Sequence, residues 1–235
     1  MIEVKNLTVR YGGVASLDGM SLTFERGVCG LIGPNGAGKT TFFNVLSGFV
    51  RPVSGSVTAF DENLLRMTHF RRARWGVRRT FQTEQAISDL TVYDNVGMIH
   101  SRLRGAAHRE DVLDSIGFVG GGVSPWAKVG SLTAGQRRLV EVARAVAGKP
   151  RLILLDEPAA GLPDEETAHL TAVIRAIPEQ TGALTILVDH DMALVSAVCA
   201  TTAVLDFGKL IASGPTAAVL RDEHVMRAYL GTAEV

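Results

Sequence analysis

Hydrophobic and polar positions alternate with a period of two over residues 2–10 and again over 20–24, on either side of Gly12-Gly13. Side chains of a strand alternate between its faces, so the pattern predicts two half-buried strands joined through a turn. Val28-Cys29-Gly30-Leu31-Ile32 is apolar throughout, the mark of a strand covered on both faces. A helix is predicted after Lys39, with Phe42, Phe43, Val45 and Leu46 in its apolar set and Gly48 as its stop. Residues 55–60 and 77–81 are further strand candidates, with a basic helical stretch between them. From 91 to 148 the apolar spacing becomes helical, interrupted at Gly120-Gly121-Gly122, which predicts an inserted helical segment of about 60 residues.

The sheet pattern then resumes. Short apolar runs at 152–155, 184–188 and 201–205 are separated by helical stretches, as in a parallel sheet with helices on both faces. Pro163-Asp164-Glu165-Glu166 predicts a helix start, with proline in the first turn and acids at the positive end of the dipole.

The chain has 235 residues, 46% of them hydrophobic, enough for one large α/β domain. Basic and acidic residues balance at 24 each, so no global field argues for nucleic acid or an anionic membrane surface. Cys29 and Cys199 lie far apart in apolar segments and read as buried thiols of a reducing compartment. No run is long enough to span a bilayer, and the first residues lack a signal-peptide pattern. A soluble, cytoplasmic protein is expected.

Chemistry enters at Gly33-Pro34-Asn35-Gly36-Ala37-Gly38-Lys39-Thr40-Thr41, which follows the apolar run 28–32 and spells the phosphate-binding loop GxxxxGK[ST]. A strand that ends in such a loop and runs into a helix aims backbone N–H groups and the positive end of a dipole at one point, where a polyphosphate can sit. Lys39 would reach the β- and γ-phosphates, and the Thr40 hydroxyl would hold Mg²⁺. Downstream, Asp156-Glu157 lies at the carboxyl end of the apolar run 152–155, where open α/β sheets place their ligands. Asp156 suits the Mg²⁺ shell, and Glu157 can orient the attacking water or act as its base.

Four more pieces accompany these two. They are Tyr11 before the double glycine, Phe81-Gln82 ending a strand, Leu132-Thr133-Ala134-Gly135-Gln136 opening a helix, and Val188-Asp189-His190-Asp191 ending another strand. In this order the motifs resemble the ATP-binding cassette family, the nucleotide-binding subunits of ABC transporters, over essentially the whole chain. The resemblance implies a P-loop NTPase with a RecA-like parallel-sheet core, an N-terminal antiparallel β subdomain and an inserted helical subdomain. It makes residues 1–235 a single domain, with about 1–85 and 150–235 as catalytic core and about 86–149 as the helical part. It implies ATP hydrolysis with Mg²⁺, Tyr11 stacked on adenine, and Gln82 linking the metal and the attacking water to a transmembrane permease. His190 would contact the γ-phosphate. Thr133, Ala134, Gly135 and Gln136 would form a signature that covers the phosphates of a second cassette chain, in a homodimer or heterodimer.

Physical reasoning supports that last implication. A helix starting just after Thr133 presents free N–H groups to an anion, and Gly135 permits close backbone approach. A two-fold pair would let each chain complete the other's site.

Several stretches look like the ATPases of branched-chain amino-acid and urea importers and of lipopolysaccharide export. Among them are Arg79-Thr80-Phe81-Gln82, Asp156-Glu157-Pro158-Ala159-Ala160-Gly161-Leu162 and Ala228-Tyr229-Leu230-Gly231. An importer of branched-chain amino acids or a similar small polar nutrient is expected, working with a solute-binding protein and lying peripherally on the inner face of the membrane. The chain departs from the family at Thr133 and Ala134, where Ser and Gly are commonest, at Leu139, usually basic in this branch, and at Pro163, usually Asp or Asn. Arg71-Arg72-Ala73-Arg74-Trp75 with Arg78-Arg79 reads as a solvated helix face rather than a nucleic-acid site. His69, His100, His108, His169 and His224 show no metal-ligand spacing, and Trp75 and Trp126 read as packing or interface residues. A soluble cassette ATPase acting on DNA or the ribosome would carry a long coiled coil or a second cassette. A GTPase would favour Asn-Lys-x-Asp. None of these is present.

Overall fold

The computed structural model describes residues 1–104 and 108–230, so the stretch Ala228-Tyr229-Leu230-Gly231 ends outside the described residues. The chain begins with β1 (Ile2–Tyr11) and β2 (Val14–Phe24), then β3 (Val28–Ile32) and α1 (Lys39–Ser47). β4 (Ser54–Ala59), β5 (Glu62–Asn63), α2 (His69–Trp75) and β6 (Val77–Arg79) follow. Three helices come next: α3 (Val92–Arg104), α4 (Arg109–Val119) and α5 (Ala134–Val146). The last part holds β7 (Leu152–Asp156), α6 (Asp164–Thr181), β8 (Leu184–Val188), α7 (Met192–Val198), β9 (Thr201–Asp206), β10 (Lys209–Pro215), α8 (Thr216–Val219) and α9 (Glu223–Leu230).

Two sheets result. The first is antiparallel in the order β2-β1-β4-β5, and the second runs β10-β9-β3-β8-β7-β6, parallel from β9 to β6 with β10 antiparallel at the edge. β7 shows why its run is apolar throughout. Leu152 and Leu154 enter one hydrophobic core with Phe42, Phe43 and the antiparallel sheet, whereas Ile153 and Leu155 enter a second core with Val140, Leu170 and Ile174 of the helices. Both faces of the parallel sheet are therefore covered. The carboxyl ends of β3, β7 and β8 gather the sequence motifs at one rim of this sheet.

Four expectations need correction. β2 starts at Val14 rather than Met20, its pairing to β1 carried through register shifts that the alternation did not show. β6 ends at Arg79, so Phe81-Gln82 lies in the loop beyond it, after one more sheet bond from Thr80 N–H to Leu154 O at 2.9 Å. Pro163 sits at the N-cap of α6, one residue before the first turn. The basic run is a solvated face only in part: Arg71 and Arg74 are exposed, but Arg72 and Arg78 are buried. Arg72 is buried and donates to the carbonyls of Val45 and Leu46 at the end of α1, and to Met67 O at 3.1 Å. The buried Arg78 donates to Ala73 O at 2.7 Å and Val77 O at 2.9 Å, around the end of α2. Helix ends leave their last carbonyls without intrahelical partners, and a guanidinium satisfies several at once.

Candidate functional site

The phosphate loop closes on itself between β3 and α1. Gly38 has φ 104°, and a Cβ there would lie 2.6 Å from Ser16 O, so only glycine fits between the loop and the antiparallel sheet. Ser16, Asn35, Gly36, Ala37, Gly38, Lys39, Thr40 and Thr41 line a cavity of about 170 Å³, and Gln82 and Glu157 complete its wall. Lys39 Nζ donates to the carbonyls of Gly33 at 2.6 Å and Pro34 at 2.9 Å. Burial lowers the Lys39 pKa, and the negative charges of Glu157 and Asp156 act in the opposite direction. A cation facing two carboxylates beside a row of backbone N–H groups is chemistry for a polyphosphate with its counter-ion.

Glu157 reaches that wall through its backbone. Its φ is +48°, uncommon for a residue with a Cβ, and its N–H donates to Val188 O at 2.8 Å. The turn swings the chain out of β7 directly after Asp156. Asp156 itself is buried behind the wall, and burial raises its pKa against the opposing pull of the Arg79 hydrogen bond. Its Oδ2 pairs with Arg79 at 3.0 Å, and its Oδ1 is buried with no hydrogen-bond partner among the described residues. An unsatisfied, buried carboxylate oxygen suits a hard, oxygen-loving cation such as Mg²⁺.

The other sequence candidates lie apart from this cavity. Tyr11 ends β1 with 52% of its surface exposed. The His190 side chain is 72% exposed, its Nδ1 3.8 Å from Asp189 Oδ1. Thr133 caps α5: its hydroxyl accepts from Gln136 N–H at 3.2 Å, while the Gln136 side chain accepts from Thr133 N–H at the same distance. This box explains how threonine stands in for serine. Gly135 and Gln136 line a different cavity, with Gly121, Leu139, Glu165, Glu166 and His169. There the Thr133 hydroxyl donates to Glu166 Oε1 at 3.1 Å, and a Cβ on Gly135 would come within 2.5 Å of Glu166 Oε2. Leu139 is buried beside them, which accounts for an apolar residue at that place. The described residues contain no cluster of three potential metal-ligating His, Cys, Asp or Glu side chains.

The sequence did not single out Ser16, it marked Glu166 only as an acid at a helix start, and it placed Arg79 in a basic run expected to be solvated. Ser16 Oγ lies 2.7 Å from Thr41 Oγ1, brought there by β2 crossing the loop, a contact with no local signal. Arg79 had one: an arginine within a strand of a buried sheet must find a partner.

A parallel sheet whose β3 ends in a phosphate loop, flanked by an acidic β7 and an antiparallel sheet, defines a P-loop ATPase of the cassette type. The chain belongs to the ABC transporter family, whose model matches residues 17–160, and a model for branched-chain amino acid ATP-binding cassette transporters matches 209–235. It is an ATP-hydrolysing transporter ATPase. It is 33% identical to the high-affinity branched-chain amino acid transport ATP-binding protein BraF of Pseudomonas aeruginosa, over 99% of this chain and 98% of that protein. The lipopolysaccharide export system ATP-binding protein LptB of Escherichia coli is also 33% identical, over 98% of this chain and 97% of its own length. Among solved structures, the ADP conformation of an ATP-binding cassette of an ABC transporter superposes with a TM-score of 0.87 at 26% identity, covering 98% of both chains.

Proposed function

We propose that this chain is the ATPase subunit of an importer of branched-chain amino acids. The observation that carries the ATPase reading is the cavity in which the phosphate loop, Gln82 and Glu157 face one another. ATP lies with its phosphates on residues 33–41, Lys39 turning from its own loop carbonyls to the β- and γ-phosphates, and Tyr11 against adenine. Thr40, Asp156 and Gln82 would hold Mg²⁺, which would neutralise charge on the phosphate oxygens. Glu157 aligns a water on the γ-phosphorus and accepts its proton, and His190 approaches the same phosphate.

Thr133, Ala134, Gly135 and Gln136 act on the ATP of a second cassette chain. Support comes from the placement of Gly135 and Gln136 in a cavity separate from the phosphate loop, as two half-sites completed by a second chain would require. Residues 86–149 form the helical subdomain that carries this signature.

The membrane part is a separate permease, since no helix among the described residues is long and apolar enough to cross a bilayer. An apolar groove of about 310 Å³ lies beside Gln82, lined by Phe49, Phe70, Phe81 and Ile99, with Phe49 59% and Phe70 55% exposed. The permease docks there, which places the chain on the cytoplasmic face of the membrane; a solute-binding protein completes the importer. The family match at 209–235 favours import, and the equal identity to the lipopolysaccharide-export protein keeps export as the second reading.

Reconstitution with candidate permease subunits tests both. Import predicts ATPase activity stimulated by a leucine-loaded binding protein, and stimulation by lipopolysaccharide alone would overturn it. In the same system Glu157→Gln should retain ATP affinity while turnover falls by about 10²-fold or more. Full turnover in that variant would remove Glu157 from its role.

A further inference from the structure

We infer that Arg79 is a positioning residue for the ATPase reaction, holding Asp156 so that its Oδ1 faces the bound metal; this rests on the reading of Asp156 as a metal carboxylate. The side chains of Arg79 and Asp156 are 6% and 4% exposed, and one guanidinium nitrogen meets Asp156 Oδ2 at 3.0 Å. The other terminal nitrogen donates to Asn44 Oδ1 at 2.7 Å. Asn44 stands four residues after Thr40 on α1, on the same helical face. Arg79 thus ties the acidic end of β7 to the helical face that carries the candidate metal hydroxyl.

Three more contacts make the tie rigid. The guanidinium carbon lies 4.8 Å from the Phe81 ring centroid and 5.4 Å from that of Phe43, so aromatic faces hold the plane of the fork. Thr80, the next residue, accepts the Asp156 N–H on its hydroxyl at 3.1 Å. Neighbouring residues therefore fix the backbone and the side chain of Asp156 together. A buried carboxylate bonded through one oxygen is restrained in rotation, and its free oxygen favours one direction. In a purely structural ion pair both oxygens of so buried a carboxylate would find donors, but Oδ1 has none among the described residues.

The test is equilibrium binding of ATP to the purified full chain, with Mg²⁺ and again in chelator, for Arg79→Met, Arg79→Lys, Asn44→Ala and Asp156→Asn. A supporting partner of a metal ligand contributes about 10- to 100-fold to metal affinity. Arg79→Met should therefore lose about tenfold or more of the Mg²⁺-dependent gain in ATP affinity while metal-free affinity stays within about threefold. Arg79→Lys should recover part of the loss, and Mn²⁺ bound with ATP should show an altered electron paramagnetic resonance spectrum in Arg79→Met. Removing Arg79 strands a buried carboxylate; if that variant does not fold, Asn44→Ala, which keeps the ion pair, carries the test with a smaller loss of the same kind. Equal weakening with and without metal, or an unchanged Mg²⁺ gain in folded variants, overturns the inference. An unchanged gain in Asp156→Asn overturns instead the metal reading on which it rests.

Discussion

Lys39 is the residue whose environment most directly matches its proposed task. Its ammonium lies against two carbonyls of its own loop, desolvated by burial and balanced by Asp156 and Glu157. Hydrogen bonds to a charged group contribute about 1.5–3 kcal/mol each, so Lys39→Ala should weaken ATP by at least about tenfold in calorimetric titration. The cysteines make the opposite case. Burial pushes the Cys199 thiol from its ordinary value near 9 up to about 12, and raises Cys29 as well. Since the thiolate is the nucleophile, an aromatic disulfide reagent at pH 8 should label neither cysteine in the native protein and both after denaturant. Fast native labelling would contradict their burial. The raised value also has a thermodynamic sign: Cys199 favours folding below pH 9, and that contribution disappears as pH climbs towards 12.

Among elements, the basic run shows how far sequence reasoning reaches. Arg72 closes the carboxyl end of α1, 26 and 27 residues earlier in the chain, with a third bond to Met67 O. Arg72→Met should lower stability by roughly 2–4 kcal/mol, because several buried carbonyls lose their donor together. Urea unfolding would show this as a lower midpoint at unchanged slope. A charge count on α2 suggested a wet face, since periodicity reports which residues share a side and not what lies opposite. β3, β7, β8 and β9 were legible because strands buried on both faces must be apolar throughout. β10 was not, since its alternate residues are only half buried and it closes an edge. The phosphate loop and the acidic pair were legible as local spacings. The partnership of Arg79 with Asp156 was not, because 77 residues separate them and only the pairing of β6 with β7 brings them together.

At the scale of the whole molecule, the proposed pairing of two cassette chains gives the contact of Glu166 with Thr133 and Gly135 a measurable consequence. In this chain the Glu166 carboxylate takes the Thr133 hydroxyl and covers Gly135, so the helix end proposed to meet a partner's phosphate already holds an anion. An anion at a helix N-terminus contributes about 0.3–1 kcal/mol. A two-fold pair uses each surface twice, so the cost of moving Glu166 aside enters the association constant as a square. Neutralising it by Glu166→Gln, a change far from the phosphate loop of its own chain, should tighten ATP-dependent pairing by about 3- to 30-fold. Sedimentation equilibrium of Glu157→Gln with and without that second substitution would measure it, and unchanged association would show that the carboxylate leaves freely. On the proposed pairing, Glu166 would stand where the partner's phosphate arrives, and ATP would have to displace it for two cassettes to close.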